Sequence, residues 1–488
     1  MEVKETSLDL STLLQAANLA VVSLSFLAYL VLGPNIYVDI YAVLLTLLFG
    51  AENFLLLRFE KRSRDPFLVL LVFVSIFFYL TRVATLLYDP WSQALARYPF
   101  GPADLNRALL FIIASNLSIF LGLLAAGRLR TQAPAAAAAA GPASPVPVLL
   151  VFLLALGAKY FLVPWAEPSS KLAGYLGSIL LNTGMVILLT ITYLALNFNS
   201  LSRLYKSLLL ALFPLFILLS MLQGSRSSIL SLLVLALCSL LAVKSRVAFG
   251  RRALLGAAIL FPLAVFSFFV STYLRKAEYT PRTMITAERV RSLKDFSTAA
   301  DKKGGEPLFR LFLDRVGYLS YAADIIANSG KYREVINPAY YAKSVVDNVI
   351  TPGFNVFDVP KAANALRYIY LGLKPHPSHR DVLREYHSDM LTAYGEYYVL
   401  FGGYPALFFL FATAFLFKRG YALVAFKNPF LRYTCAAAIL LLFHNWLNSY
   451  GLDWMGMEAI SLSVPGLLLC GLYVRRPAAA ADGANIVK

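Results

Sequence analysis

Apolar runs of roughly 20 residues recur along nearly the whole chain, separated by short clusters of Arg, Lys, Gly and Pro. A run of that length carries an α-helix across about 30 Å of hydrocarbon. The runs lack the period-two alternation of barrel strands, and a helix satisfies its own backbone in lipid. The pattern therefore predicts an all-α polytopic membrane protein with about twelve transmembrane helices. Spans are expected over residues 13–32, 37–57, 67–88, 106–126, 147–165, 173–196, 207–222, 229–243, 253–274, 397–417, 430–446 and 457–474.

Breaks in the pattern divide the chain. Residues 1–274 hold nine spans, interrupted near 127–145 by an alanine run flanked by prolines that reads as a flexible linker. Residues 275–395 form a loop rich in charge and tyrosine, 396–474 the last three spans, and 475–488 a disordered tail. Within the loop, Leu308, Leu311, Phe312, Leu319, Ala322 and Ile326 recur at helical spacing, predicting an amphipathic helix that lies on or dips into the bundle.

A composition of 59% hydrophobic and 15% charged residues excludes a soluble globular protein. The net charge of +17 would suit nucleic acid, but the basic residues cluster between apolar runs, where they orient a membrane protein. No nucleic-acid-binding module is recognisable, and none is expected as a partner. Arg58/Lys61/Arg62/Arg64, Arg128/Arg130, Arg203/Lys206, Lys244/Arg246/Arg251/Arg252, Lys418/Arg419/Lys427 and Arg475/Arg476 all fall on one side of the arrangement. That side is expected to be cytoplasmic, with both termini inside and the long loop outside. Cys238, Cys435 and Cys470 fall inside spans without metal-ligand spacing. No DxD-type pair stands in the first outer loop, so neither a metal nor another cofactor is expected.

Candidate chemistry gathers on the outer side. Gly224-Ser225-Arg226-Ser227-Ser228 joins two short apolar runs and offers a guanidinium fork and hydroxyl donors to a phosphate. The same residues also read as a capping turn whose arginine meets lipid headgroups. Arg275 closes the next span and Arg315 lies on the expected amphipathic helix. With Arg226 they make three arginines at one leaflet, as a pyrophosphate-bearing lipid requires. His387, before the chain re-enters the membrane, is a candidate general base for a sugar hydroxyl, ahead of His376 and His379. Glu396, at the membrane edge, is the competing base, or else an arginine's partner. Arg82, Lys159, Asp39 and Glu52 are expected to snorkel toward headgroups, and His444, Asn445, Asn448 and Asp453 to hydrogen-bond between helices.

From residue 207 onward the sequence resembles the Wzy-type oligosaccharide repeat-unit polymerases, the O-antigen polymerases related to the O-antigen ligases. The resemblance rests on the Gly224-Ser225-Arg226 turn, Arg275 closing the following span, and a large loop opening with Arg315. It extends through Ile350-Thr351-Pro352-Gly353 to the re-entry Gly395-Glu396-Tyr397-Tyr398. It implies a metal-independent, GT-C-like membrane glycosyltransferase in a bacterial inner membrane with its active site outside. The donor would be a glycan on undecaprenyl pyrophosphate, transferred to the non-reducing end of a lipid-linked repeat unit. Arg226, Arg275 and Arg315, with Ser225 and Ser227, would hold the pyrophosphate, and His387 or Glu396 would act as base. A flippase and a chain-length regulator are the partners the family implies, beside membrane lipids. An O-antigen ligase acting on lipid A core shares this architecture. A flippase would instead call for a charged cavity within the spans and no large loop, and a non-enzymatic envelope scaffold would leave the arginines without a role.

Overall fold

The computed structural model describes residues 8–88, 100–128, 145–162, 183–223, 226–244, 247–249, 317–351, 354–374, 376–384, 391–426 and 428–448, with shorter stretches between 262 and 271 and between 451 and 463. The first four helices are α1 (Leu10–Leu32), α2 (Ile40–Ser63), α3 (Pro66–Tyr88) and α4 (Pro102–Arg128). Their ends follow from local chemistry. The Asp39 carboxylate caps α2 by accepting the Ala42 N–H at 2.8 Å. Arg64, with φ 54°, closes α2, and Asp65 followed by Pro66 starts α3. Next come α5 (Pro145–Gly157), α6 (Thr183–Asn197), α7 (Arg203–Leu222) and α8 (Arg226–Val243).

The long loop contributes α9 (Tyr318–Ala327), α10 (Ser329–Val335), α11 (Pro338–Val345), α12 (Ala362–Tyr370) and α13 (His379–Arg384). The chain then forms α14 (Thr392–Phe401), α15 (Ala406–Leu423) and α16 (Pro429–Asn448). One two-residue antiparallel pairing, β1 (Leu8–Asp9) with β2 (Ala248–Phe249), ties the start of α1 to the end of α8. Among the described residues, α1–α4, α7, α15 and α16 are the seven helices long and apolar enough to cross a membrane, and α5, α6 and α8 hold shorter apolar segments. This is a polytopic membrane architecture. Leu19, Val31, Phe408 and Leu416 stand exposed on these helices, as lipid-facing residues do.

Direct contacts sort the helix ends into two groups. Ser11 bonds Glu60, Lys61 donates to Gln15 at 2.7 Å, Lys418 pairs with Asp65 at 2.6 Å and the Leu10 N–H reaches the Val247 carbonyl at 2.9 Å. The N-terminus of α1 therefore shares one end of the bundle with the C-termini of α2, α8 and α15. Several of the basic clusters lie at that end. It follows that the start of α8, at Arg226, lies toward the opposite end, where the loop helices pack.

Polar side chains inside the bundle bond one another. Asn18 donates to the Gly50 carbonyl at 2.8 Å and Asn53 to Asn18 Oδ1 at 3.2 Å, joining α1 to α2. Gly122 brings α4 against α15, because a Cβ there would run into the Phe411 carbonyl group.

Two expectations from the sequence need correction, and a third resolves between its alternatives. The span expected over 397–417 is broken: Gly402 and Gly403, with φ of 74° and 87°, end α14, and the membrane-length helix is α15. Positive φ at two successive residues favours glycine and stops a helix. The helix expected from Leu308 to lie on or dip into the bundle is described from Tyr318, where it is buried on nearly all sides, as the second alternative requires. Arg82 does not snorkel; it is 2% exposed and donates from Nε to Ser320 Oγ of α9 at 2.8 Å. The span expected over 253–274, and most of that over 457–474, lie outside the described residues.

The α4–α15 contact yields a prediction. Gly122→Ala should destabilise the detergent-solubilised protein by about 1–3 kcal/mol, since the obstructing atoms are backbone and cannot swing away. Thermal unfolding followed by circular dichroism checks it; an unchanged midpoint would mean the two helices do not approach this closely.

Candidate functional site

The helix that carries Glu396 starts under strain. Thr392, the first residue of α14, holds φ at 55° while fully buried. A β-branched residue seldom adopts that conformation, at a cost of about 1–3 kcal/mol, and such outliers concentrate at functional sites. The turn of helix that follows places Glu396, 1% exposed, between the membrane helices and the loop layer.

Glu396 Oε1 accepts the Leu452 N–H at 2.8 Å, just past the end of α16. Gly451 lies beneath. A Cβ built on it would lie 3.0 Å from Asp453 Oδ1, 3.2 Å from Glu396 Oε1 and 3.4 Å from the Tyr341 hydroxyl, so two carboxylates and a phenol converge over one bare backbone position. The Tyr341 hydroxyl faces the Glu396 carboxylate, and among the described residues neither it nor Glu396 Oε2 takes up hydrogen-bond geometry.

Asp453 is the better-satisfied acid. Its Oδ2 accepts Ser344 Oγ at 2.6 Å, from the last turn of α11, and the Ala362 N–H at 2.8 Å, the first turn of α12. A carboxylate at a helix N-terminus is stabilised by the unpaired amides there. Lys361, the residue before α12, lies in the field of Asp453 and Glu458.

Burial and charge act together on these groups. Removal from water favours the neutral form of Glu396, and the Asp453 charge adds to it. The Leu452 N–H and the Tyr341 hydroxyl oppose, leaving the acid pushed up to about 8. Burial also pulls Lys361 below its ordinary value, against the Asp453 and Glu458 charges. Tyr341 is held well above its usual range, first by burial and then by the facing carboxylates. The result is a cluster in which Glu396 is poised to exchange a proton near neutrality.

A second polar group lies alongside. Tyr394, two residues before Glu396, donates its hydroxyl to Asn116 Oδ1 at 2.7 Å, and Asn116 Nδ2 donates to Ser75 Oγ at 3.0 Å. Ser75 opens a π-helical stretch of α3, Ser75–Leu80, after which Arg82 reaches α9. Insertions of this kind recur where a helix must aim side chains at a site.

Of the residues singled out in the sequence, Glu396 is described in full. Arg226 and Ser227 are described as the first residues of α8, by backbone alone, at the end of the bundle that α14 also occupies. Ser225, Arg275, Arg315 and His387 lie outside the described residues. His376 is exposed, while His379 stands with Nε2 3.7 Å from Asp347 Oδ2 and its own N–H on Asp358 Oδ1 at 3.1 Å, a fastening within the loop. The patch expected to bond helix to helix divides. Asn445 donates to Glu458 Oε1 at 2.8 Å as expected, but Asp453 serves the loop. The cluster is not readable along the chain, because Asp453 and Tyr341 stand 57 and 55 positions from Glu396, and Ser344 and Lys361 stand 109 and 92 positions from Asp453. The one local signal was an acid in Gly451-Leu452-Asp453, directly after an apolar span.

The chain matches no family model, no curated protein and no solved structure.

The raised acid sets a pH dependence. Glu396 binds its proton more tightly folded, near 8, than at its ordinary 4.5, so its contribution to stability is full below about 4.5 and is lost as pH rises toward 8. Between those limits the slope approaches ~1.4 kcal/mol per pH unit. Chemical denaturation of the solubilised protein from pH 5 to 8 should show this fall in the native chain and a flatter profile in Glu396→Gln. Equal slopes in the two would mean that Glu396 titrates normally.

Proposed function

We propose that the chain is a membrane glycosyltransferase that moves a growing glycan from a polyprenyl pyrophosphate onto the non-reducing end of a second lipid-linked oligosaccharide, at the outer face of a bacterial inner membrane. The observation that carries this reading is Glu396. It is a buried acid near neutral in pKa, facing Asp453 and Tyr341, at the junction of an apolar helix bundle and a layer of loop helices. Such a junction is where a substrate with an isoprenoid tail and a sugar head presents its reacting atoms.

The chemistry assigns roles. The acceptor hydroxyl attacks the anomeric carbon of the donor, the bond from that carbon to the pyrophosphate oxygen breaks, and the hydroxyl proton passes to a base. Glu396 in its ionised form is that base, and burial, with the Asp453 charge adding to it, keeps the Glu396 carboxyl near the working pH. Charge develops on the departing pyrophosphate, so cations and unpaired amides there lower the barrier. Arg226 supports this part of the reading because it begins α8 at the end of the bundle shared with α14, and a helix N-terminus favours an anion. Arg275 and Arg315 are assigned to the same pyrophosphate and His387 is kept as the alternative base, all on the resemblance. The twelve-span, GT-C-like arrangement, with the basic end in the cytoplasm, belongs to the same proposal.

Reconstitution with lipid-linked repeat units tests it. The native protein should yield a ladder of longer lipid-linked products, at a rate that rises with pH through about 8 as Glu396 ionises. Glu396→Gln should lower the rate by roughly 10²–10⁴-fold. Arg226→Ala should weaken donor binding by about 1.5–3 kcal/mol. A single transfer to lipid A core makes the protein a ligase instead. Lipid translocation without a new glycosidic bond, or full activity in Glu396→Gln, removes the assignment.

A further inference from the structure

The loop layer carries an apolar surface that no described side chain covers. After α11 the chain runs through a π-helical turn, Val346–Ile350, and then a bend that exposes Ile350 at 67%, Phe354 at 74%, Val356 at 59% and Phe357 at 48%. Four large apolar side chains within eight positions, all turned outward, are more than the scattered exposure common on protein surfaces.

The conformation of this bend is imposed by the protein. Asp347, buried, accepts the N–H groups of Phe357 at 3.0 Å and of Val359 at 3.0 Å. The Thr351 N–H returns to the Val346 carbonyl at 2.7 Å. Asn355 and Asp358 hold φ near 50°. His379 closes over the same carboxylate. A segment fastened at so many backbone atoms presents its apolar side chains by construction, because collapse inward would break those bonds.

Its height in the molecule follows from two contacts. Val349 packs on the bare Cα of Gly456, where a Cβ would come within 2.9 Å of Val349 Cγ2. Two residues further, Glu458 accepts from Asn445 at 2.8 Å, level with the last turn of α16. The chain is there returning toward the bundle. Ile350 and the bend after it therefore sit beside the rim of the apolar helices, not at the far tip of the loop. Lys343 completes the pattern, exposed and with its ammonium 5.9 Å from the Phe357 ring. Aromatic and aliphatic side chains bordered by a lysine suit the boundary between acyl chains and phosphate headgroups.

We propose that the bend after α11 is a membrane-insertion element: Ile350, Phe354, Val356 and Phe357 enter the adjoining leaflet and Lys343 meets its phosphates, anchoring the loop layer to the lipid surface. This reading is independent of the glycosyltransferase proposal, since it holds for any activity of the chain. In function it would fix the height of α11 and α12, and with them Ser344 and the Ala362 amide that hold Asp453, relative to the bilayer.

The test uses the full chain in lipid nanodiscs, with Phe354→Trp and Val356→Trp as separate variants and the native protein subtracted as background. Both sites are exposed, so neither change disturbs packing. The expected result is added emission that is blue-shifted, lost when the nanodisc lipids carry bromine on the upper acyl carbons, and little affected by acrylamide in the water. Lys343→Ala should move the emission back toward red. Loss to acrylamide with no effect of brominated lipid would overturn the proposal, because the bend then faces water. Protection from both quenchers would overturn it as well, because protein, either another part of this chain or a second copy, then covers the surface.

Discussion

A carboxylate held out of water at the edge of an apolar bundle must find its donors in the protein, and the arrangement around Glu396 and Asp453 answers that demand. Asp453 takes a hydroxyl from α11 and an amide from α12; Glu396 takes one amide from the turn after α16. The two acids thereby gather segments that are far apart in sequence. Among the described residues Asp453 Oδ2 takes two donors and Glu396 Oε1 takes one, and burial holds the Glu396 proton toward neutral pH. Asp453 thereby acts as a fastening group between segments, while burial with a single amide donor leaves Glu396 the reactive one.

The same logic runs through the seam between the bundle and the loop layer. Arg82 of α3 holds Ser320 of α9, Asn116 of α4 holds Tyr394 of α14, and Asp453 holds α11 and α12. Each is a polar contact in an apolar setting, where breaking one partner leaves the other buried and unpaired. The loop layer is consequently not a separate domain resting on the membrane part. Its own small core, built from Ile325, Tyr332, Tyr341, Leu366, Val399 and Leu400, includes residues of α14 that continue into the bundle.

Legibility in the sequence tracked the range of the interactions involved. Helix number and placement in the first 128 residues were readable, because length and apolarity alone decide them: the observed α1–α4 contain or nearly coincide with the expected runs. The break at Gly402-Gly403 is masked by an apolar run that continues through it, and two glycines in succession are its only local signal. Arg82 was misread because its partner, Ser320, lies 238 residues away, and an arginine near a helix end is snorkelling by default when no partner is visible. Glu396 was found as a candidate from its position at a membrane edge. Its partners were not, since nothing in a one-dimensional pattern brings residues 341, 361, 396 and 453 to one point.

Catalysis by Glu396 rests on its being neutral under conditions where an ordinary glutamate is ionised. Infrared difference spectroscopy on the reconstituted protein, with Glu396→Gln as the reference, reads the carbonyl stretch of a protonated carboxyl directly. A band assignable to Glu396 should persist at pH 6 to 7 and disappear with a midpoint near 8. A band already gone at pH 6, with a midpoint near the ordinary value of 4.5, would contradict this.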